Sequence, residues 1–94
     1  MNCEFSNNSA IILVDDEKIV LDSLKSELAT YIDDKYTIEI SESGSEALEL
    51  VDELLNEGYD IPVIICDYIM PGMKGDVLLS KVHQKSPDTF KILL

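Results

Sequence analysis

The 94-residue chain is poor in basic residues: seven Lys and Arg stand against nineteen Asp and Glu, for a net charge of -12. A surface of that sign repels polyanions, which argues against direct binding of nucleic acid. A long apolar run is also lacking. No stretch reaches the roughly eighteen to twenty apolar residues that a membrane span needs. The first nine residues are polar, without the basic start and apolar middle of a secretory signal. Cysteine is scarce: Cys3 lies in the polar N-terminal stretch and Cys66 inside an apolar run. Such a pair forms neither a disulfide framework nor a metal motif. Cys66 reads as a small buried hydrophobe and Cys3 as an ordinary exposed thiol, a usage that suits a reducing compartment, by default the cytoplasm. Four Gly and three Pro are too few for a fibrous or disordered chain.

What is present is enough apolar content, 46%, for one core in one domain. Residues 1–9 read as a tail and residues 10–94 as the domain. Residues 10–14 (AIILV) form a continuous, largely β-branched run, typical of a strand buried on both faces. The run ends abruptly in Asp15, Asp16 and Glu17. From Lys18 the spacing turns helical, with Ile19, Val20, Leu24, Leu28 and Ile32 near one face and Asp16 placed to cap the helix. Residues 36–40 (YTIEI) alternate as a second, less buried strand.

A second helix starts around Ser43, Gly44 and Ser45, buries Ala47, Leu48, Val51, Leu54 and Leu55, and stops at Gly58. Residues 61–66 (IPVIIC) form a third strand with Pro62 at its beginning, where a missing donor is tolerated, and this strand too runs into an acid, Asp67. Pro71, Gly72 and Gly75 mark a loop. Residues 76–84 form a short helix with Val77, Leu78 and Val82 inward, and residues 89–94 (TFKILL) open a fourth strand. The order βαβαβαβ predicts a parallel α/β sheet flanked by helices, because parallel strands need crossover connections.

In an open parallel sheet, ligands bind beyond the carboxyl ends of the strands. Asp15, Asp16 and Asp67 all fall there. If strands one and three are neighbours, as in the flavodoxin-like order, these acids, about fifty residues apart in sequence, meet in one pocket. Like charges so gathered need a compensating cation. Oxygen donors without Cys or His favour magnesium and disfavour zinc. A carboxylate beside such an ion can act as a nucleophile toward a phosphoryl group, and Asp67, single and central, is the candidate.

ILVDDE at residues 12–17, DYIMPGMKG at residues 67–75 and SGSEALELV at residues 43–51 resemble the receiver domains of bacterial response regulators. The similarity runs over residues 10–94. The resemblance implies a flavodoxin-like doubly wound sheet with strand order 2-1-3-4, and a domain that is C-terminally incomplete, its fifth strand and last helices missing. It implies that Asp67 is the phosphoacceptor in a two-component phosphorelay. Asp16 would bind Mg2+ (or Mn2+) directly, Asp15 would assist through water, and the Ile69 backbone carbonyl would complete the protein's share. Met70, Pro71 and Gly75 would shape the loop. The family's Ser or Thr after the fourth strand and its Lys after the fifth have no counterpart; Lys74, Lys81 and Lys91 lie elsewhere.

The partner so implied is a histidine kinase or histidine phosphotransfer protein, with an output domain or partner that the sequence does not identify. The only catalysis expected is of the domain's own phosphorylation and dephosphorylation. A sheet ending at the fourth strand would leave an apolar edge, so the 94-residue chain is expected to dimerise or exchange strands. An aspartyl-phosphate phosphatase is the alternative enzyme, but such enzymes usually carry a second acid two residues after the nucleophile, where this chain has Ile69. A flavodoxin-like cofactor module or an unphosphorylated interaction domain is a third reading, disfavoured because no G-x-G-x-x-G is present. His83, the only histidine, reads as a solvated side chain. Met70 and Met73 read as packing residues, Tyr31, Tyr36 and Tyr59 as half-buried scaffold, and Tyr68 as a neighbour of the site.

Overall fold

The computed structural model describes residues 8–94, so the expectations for Cys3 and for most of the tail lie outside the described residues. The elements run β1 (Ser9–Val14), α1 (Lys18–Ala29), β2 (Tyr36–Ser41), α2 (Gly44–Asn56), β3 (Asp60–Cys66), α3 (Gly75–Lys85) and β4 (Phe90–Leu93). All strand pairs are parallel, in the order β2-β1-β3-β4. This is the flavodoxin-like arrangement expected, and β1 begins one residue earlier than its apolar run suggests. Pro62 sits where the β1–β3 register slips between Ser9 and Ile11. The irregularity absorbs its missing donor.

Side chains alternate across β1 and divide the interior in two. Ala10, Ile12 and Val14 join Ala47, Val51 and Leu54 of α2 and Leu78 and Val82 of α3 on one face. On the other, Leu13 packs with Leu21 of α1 and Ile38 of β2. Burial on both faces is what makes the β1 sequence continuous rather than alternating. Leu21, fully buried, carries much of the second core, and Leu21→Ala there costs about 2–5 kcal/mol.

Several inward assignments are corrected. Ile19 is 82% exposed and Leu21 takes the central place on α1. Val77 and Tyr31 also face solvent, while Leu78 and Val82 are buried as the spacing indicates. Asp16 does not cap α1: Glu17 occupies the cap without a side-chain hydrogen bond, and its N–H donates to the Asp15 carboxylate at 2.9 Å. Asp15 thus turns the chain into the helix.

Helix α2 is framed more completely. The Ser43 hydroxyl accepts from the Glu46 N–H at 3.2 Å. At the other end, Gly58 adopts φ +86, and the Gly58 and Tyr59 N–H groups donate back to Leu55 and Leu54. This left-handed closure satisfies carbonyls that a helix end otherwise leaves open. Thr89, almost completely buried, donates from its hydroxyl to the Ile61 carbonyl at 2.6 Å and meets the Ser86 hydroxyl at the same distance. It pins the start of β4 to the start of β3. No helix among the described residues is long and apolar enough to cross a membrane.

Candidate functional site

At the carboxyl end of the sheet a row of main-chain hydrogen bonds aligns the strand ends. The Asp15 N–H donates to the Ser41 carbonyl at 3.1 Å, and the Asp67 N–H to the Val14 carbonyl at 3.0 Å. The Leu94 N–H donates to Cys66 at 2.9 Å, and its carbonyl accepts from Tyr68 at 3.3 Å. The acids therefore leave the sheet side by side. Asp15, Asp16 and Asp67 each present a carboxylate oxygen, and these oxygens all lie within 4.8 Å of one another. Asp15 and Asp67 are half-buried and Asp16 is exposed. The described ion pairs, Lys18–Asp22 and Lys85–Asp52, leave these three acids out.

That concentration of charge is felt by its neighbours. Burial raises the Asp15 carboxyl above its ordinary range, with the charges of Asp67 and Asp16 adding to the effect and the hydrogen bond from Glu17 opposing it. Cys66 is completely buried. Burial pushes its thiol up to about 11, with Asp67 and Asp15 contributing, and it donates to the Asp67 carbonyl at 3.2 Å. A protonated thiol in that hydrogen bond is not a metal ligand. The group thus offers oxygens alone and an excess of negative charge, a donor set that fits a hard divalent cation.

The loop after Asp67 is packed closely against the start of α3. A Cβ on Gly75 would lie 2.6 Å from the Asp67 carbonyl oxygen and 2.6 Å from Leu93 Cδ1, so no side chain fits. The Gly75 N–H also donates to the Tyr68 carbonyl at 3.1 Å. Met70 is buried, Pro71 exposed and the Ile69 side chain 77% exposed. Tyr68 is partly open beside Asp67, and the Lys74 ammonium stands over its ring at 5.9 Å. His83 is exposed.

The model of the response regulator receiver domain matches residues 11–94. The chain belongs to the response regulator receiver domain family. It is 32% identical over 89 residues to the sensor kinase CckA of Brucella abortus (strain 2308), a match that covers 90% of this chain and 8% of that protein. Among solved structures, it is similar to an adenylate cyclase from Rhodopirellula baltica, with TM-score 0.77 and 32% identity, covering 92% of this chain and 58% of that one. It is also similar to a response regulator receiver domain protein from Clostridium thermocellum, with TM-score 0.77 and 27% identity, covering 90% and 63%. The receiver therefore spans a small part of the kinase and about three-fifths of these solved chains. Receiver domains are signalling modules of two-component systems, served by histidine kinases or phosphotransfer proteins.

The acids that sequence position brings together are together in space. The spacing gave no sign of Ser41, whose carbonyl holds the Asp15 main chain, or of Thr89. The one available signal was that each is a hydroxyl residue within or beside an apolar strand, where it needs a partner.

Proposed function

We propose that this receiver accepts a phosphoryl group on Asp67 from a phosphohistidine of a histidine kinase or phosphotransfer protein. Asp16, Asp15, Asp67 and the Ile69 carbonyl would hold Mg2+ or Mn2+. The convergence of three carboxylate oxygens within 4.8 Å at the ends of β1 and β3 carries this reading. A bound divalent cation supplies positive charge for the oxygens of the transferring group. An Asp67 carboxylate oxygen forms the bond to phosphorus as the bond from phosphorus to the imidazole nitrogen breaks; that nitrogen keeps the electron pair. Asp67 is fixed for this attack by its N–H on Val14 and by the packing of Gly75 on its carbonyl. The module catalyses only this modification of itself and its reversal, in the cytoplasm.

Treating the protein with a small phosphodonor and magnesium should add one phosphoryl group by intact mass. Asp67→Asn should abolish the addition, and an undiminished addition in that variant would remove Asp67 from the role.

The β4 edge is proposed as a surface for self-association. Leu94 spends its N–H and carbonyl on the β3 side, so the alternate residues Lys91 and Leu93 turn their main-chain groups outward. Phe90, Leu93 and Leu94 are exposed beside them.

A further inference from the structure

The loops that carry the acids both lean on the turn between β2 and α2. On one side, the Ser41 carbonyl receives the Asp15 N–H at 3.1 Å. Within the turn, the Ser41 hydroxyl donates to the Ser43 carbonyl at 3.0 Å, and Ser43 caps α2. On the other side is Gly44, the buried first residue of α2. A Cβ there would lie 2.9 Å from both Cβ and Sδ of Met73 and 3.2 Å from its Cγ. The Met73 side chain therefore lies flat along the bare Cα of Gly44. Met73 is half-buried and belongs to the loop that leaves Asp67.

We infer that Gly44 and Met73 form a positioning pair that sets the Asp67 loop relative to the Asp15 and Asp16 loop. The inference rests on the metal-binding reading above and extends it to two residues that offer no ligand atom of their own. Three carboxylates drawn together repel one another, so they keep their spacing only where their main chains cannot relax outward. The β2–α2 turn supplies that restraint because it touches both loops, one by a hydrogen bond and the other by close packing. The nearest Met73 atoms include Cβ, which is attached to the main chain. A methyl group at position 44 cannot be cleared by a rotamer change of Met73; the loop itself must shift. Groups that orient metal ligands without touching the metal change affinity by about 10–100-fold when altered, and that is the scale expected here.

The test is magnesium titration of the whole chain followed by amide NMR, for wild type, Gly44→Ala, Met73→Ser, Met73→Leu and a control, Leu54→Ala, at the far end of α2. Gly44→Ala and Met73→Ser should each weaken magnesium binding about tenfold. Both should move the Asp67 amide resonance already in the magnesium-free protein. Met73→Leu, which keeps an apolar chain over Gly44, should retain affinity within about threefold by the same scale. Leu54→Ala should lower the melting temperature yet leave affinity and the Asp67 amide unchanged. Wild-type affinity and an unmoved Asp67 amide in either folded variant, Gly44→Ala or Met73→Ser, would overturn the inference. If Gly44→Ala does not fold, Met73→Ser against Met73→Leu decides. Wild-type protein that shows no saturable magnesium shift would overturn the metal reading instead, while the magnesium-free Asp67 amide would still judge the pair.

Discussion

The Asp15 carboxylate accepts a hydrogen bond from the Glu17 N–H at 2.9 Å, so one of the three clustered acids is also the residue that turns the chain into α1. Its two tasks are separable by substitution. Asp15→Asn keeps an oxygen for Glu17 and removes the charge, so it should weaken magnesium binding while raising the stability of the metal-free protein. Asp15→Ala should weaken binding equally and forfeit in addition about 1 kcal/mol for the lost hydrogen bond. Urea unfolding of the two variants, with and without magnesium, checks both statements.

The raised Asp15 carboxyl fixes the sign of a pH effect. Because its folded pKa lies above the unfolded one, the native state binds the proton more tightly over that interval. Stability from this group is present below the ordinary Asp value of 3.8 and is lost as pH rises through the folded value. Metal-free protein should accordingly show a component of stability that declines upward from about pH 4. Asp15→Asn should lack that component, and magnesium should oppose the decline. A difference between wild type and Asp15→Asn that grows in wild type's favour toward neutrality would contradict the assignment.

Ile69 stands exposed two residues after the proposed phosphoacceptor and has no polar side-chain atom to orient an attacking water. The phosphoryl group on Asp67 should therefore be persistent. Ile69→Asn should shorten its half-life, measured by loss of the added mass after the donor is removed; a longer half-life would contradict the idea.

Association through β4 should answer to salt. A net charge of -12 opposes the meeting of two copies, and screening weakens that opposition. Light scattering should show dimer increasing with protein concentration and ionic strength. Phe90→Lys, which places a charge at the edge, should reduce it. A wild-type monomer at millimolar concentration and high salt would end the proposal.

The fold was readable because its strands and helices differ in period, and because a strand buried on both faces has to be continuously apolar. The clustering of Asp15, Asp16 and Asp67 was readable because carboxylates at the ends of buried strands stand out chemically. Finer placements were not. Residues 19–21 and 77–79 are each three successive apolar positions, and spacing alone cannot choose which one meets the sheet. Ile19 and Val77 point away, while Leu21 and Leu78 are buried. Tyr31 lies just past the end of α1, beyond the reach of the helical pattern. Thr89 bonds to a carbonyl 28 residues away, a relationship that no local pattern records.

The hydrogen bonds that line up the strand ends at the acidic cluster, from Asp15, Asp67, Tyr68 and Leu94, use main-chain atoms alone. Any residue other than proline at those donor positions keeps them. For those four bonds, frame and side-chain chemistry are thereby uncoupled. Asp16, Asp67, Tyr68 and Ile69 can be exchanged to alter the charge and chemistry presented there while these main-chain bonds persist; Asp15, whose carboxylate also receives the Glu17 N–H, is the exception. At the opposite end, where Thr89 ties two strands by its side chain, the same freedom does not exist. Exchanges at those four donor positions should therefore leave the strand ends aligned, whereas at Thr89 any exchange that removes the hydroxyl unties β4 from β3.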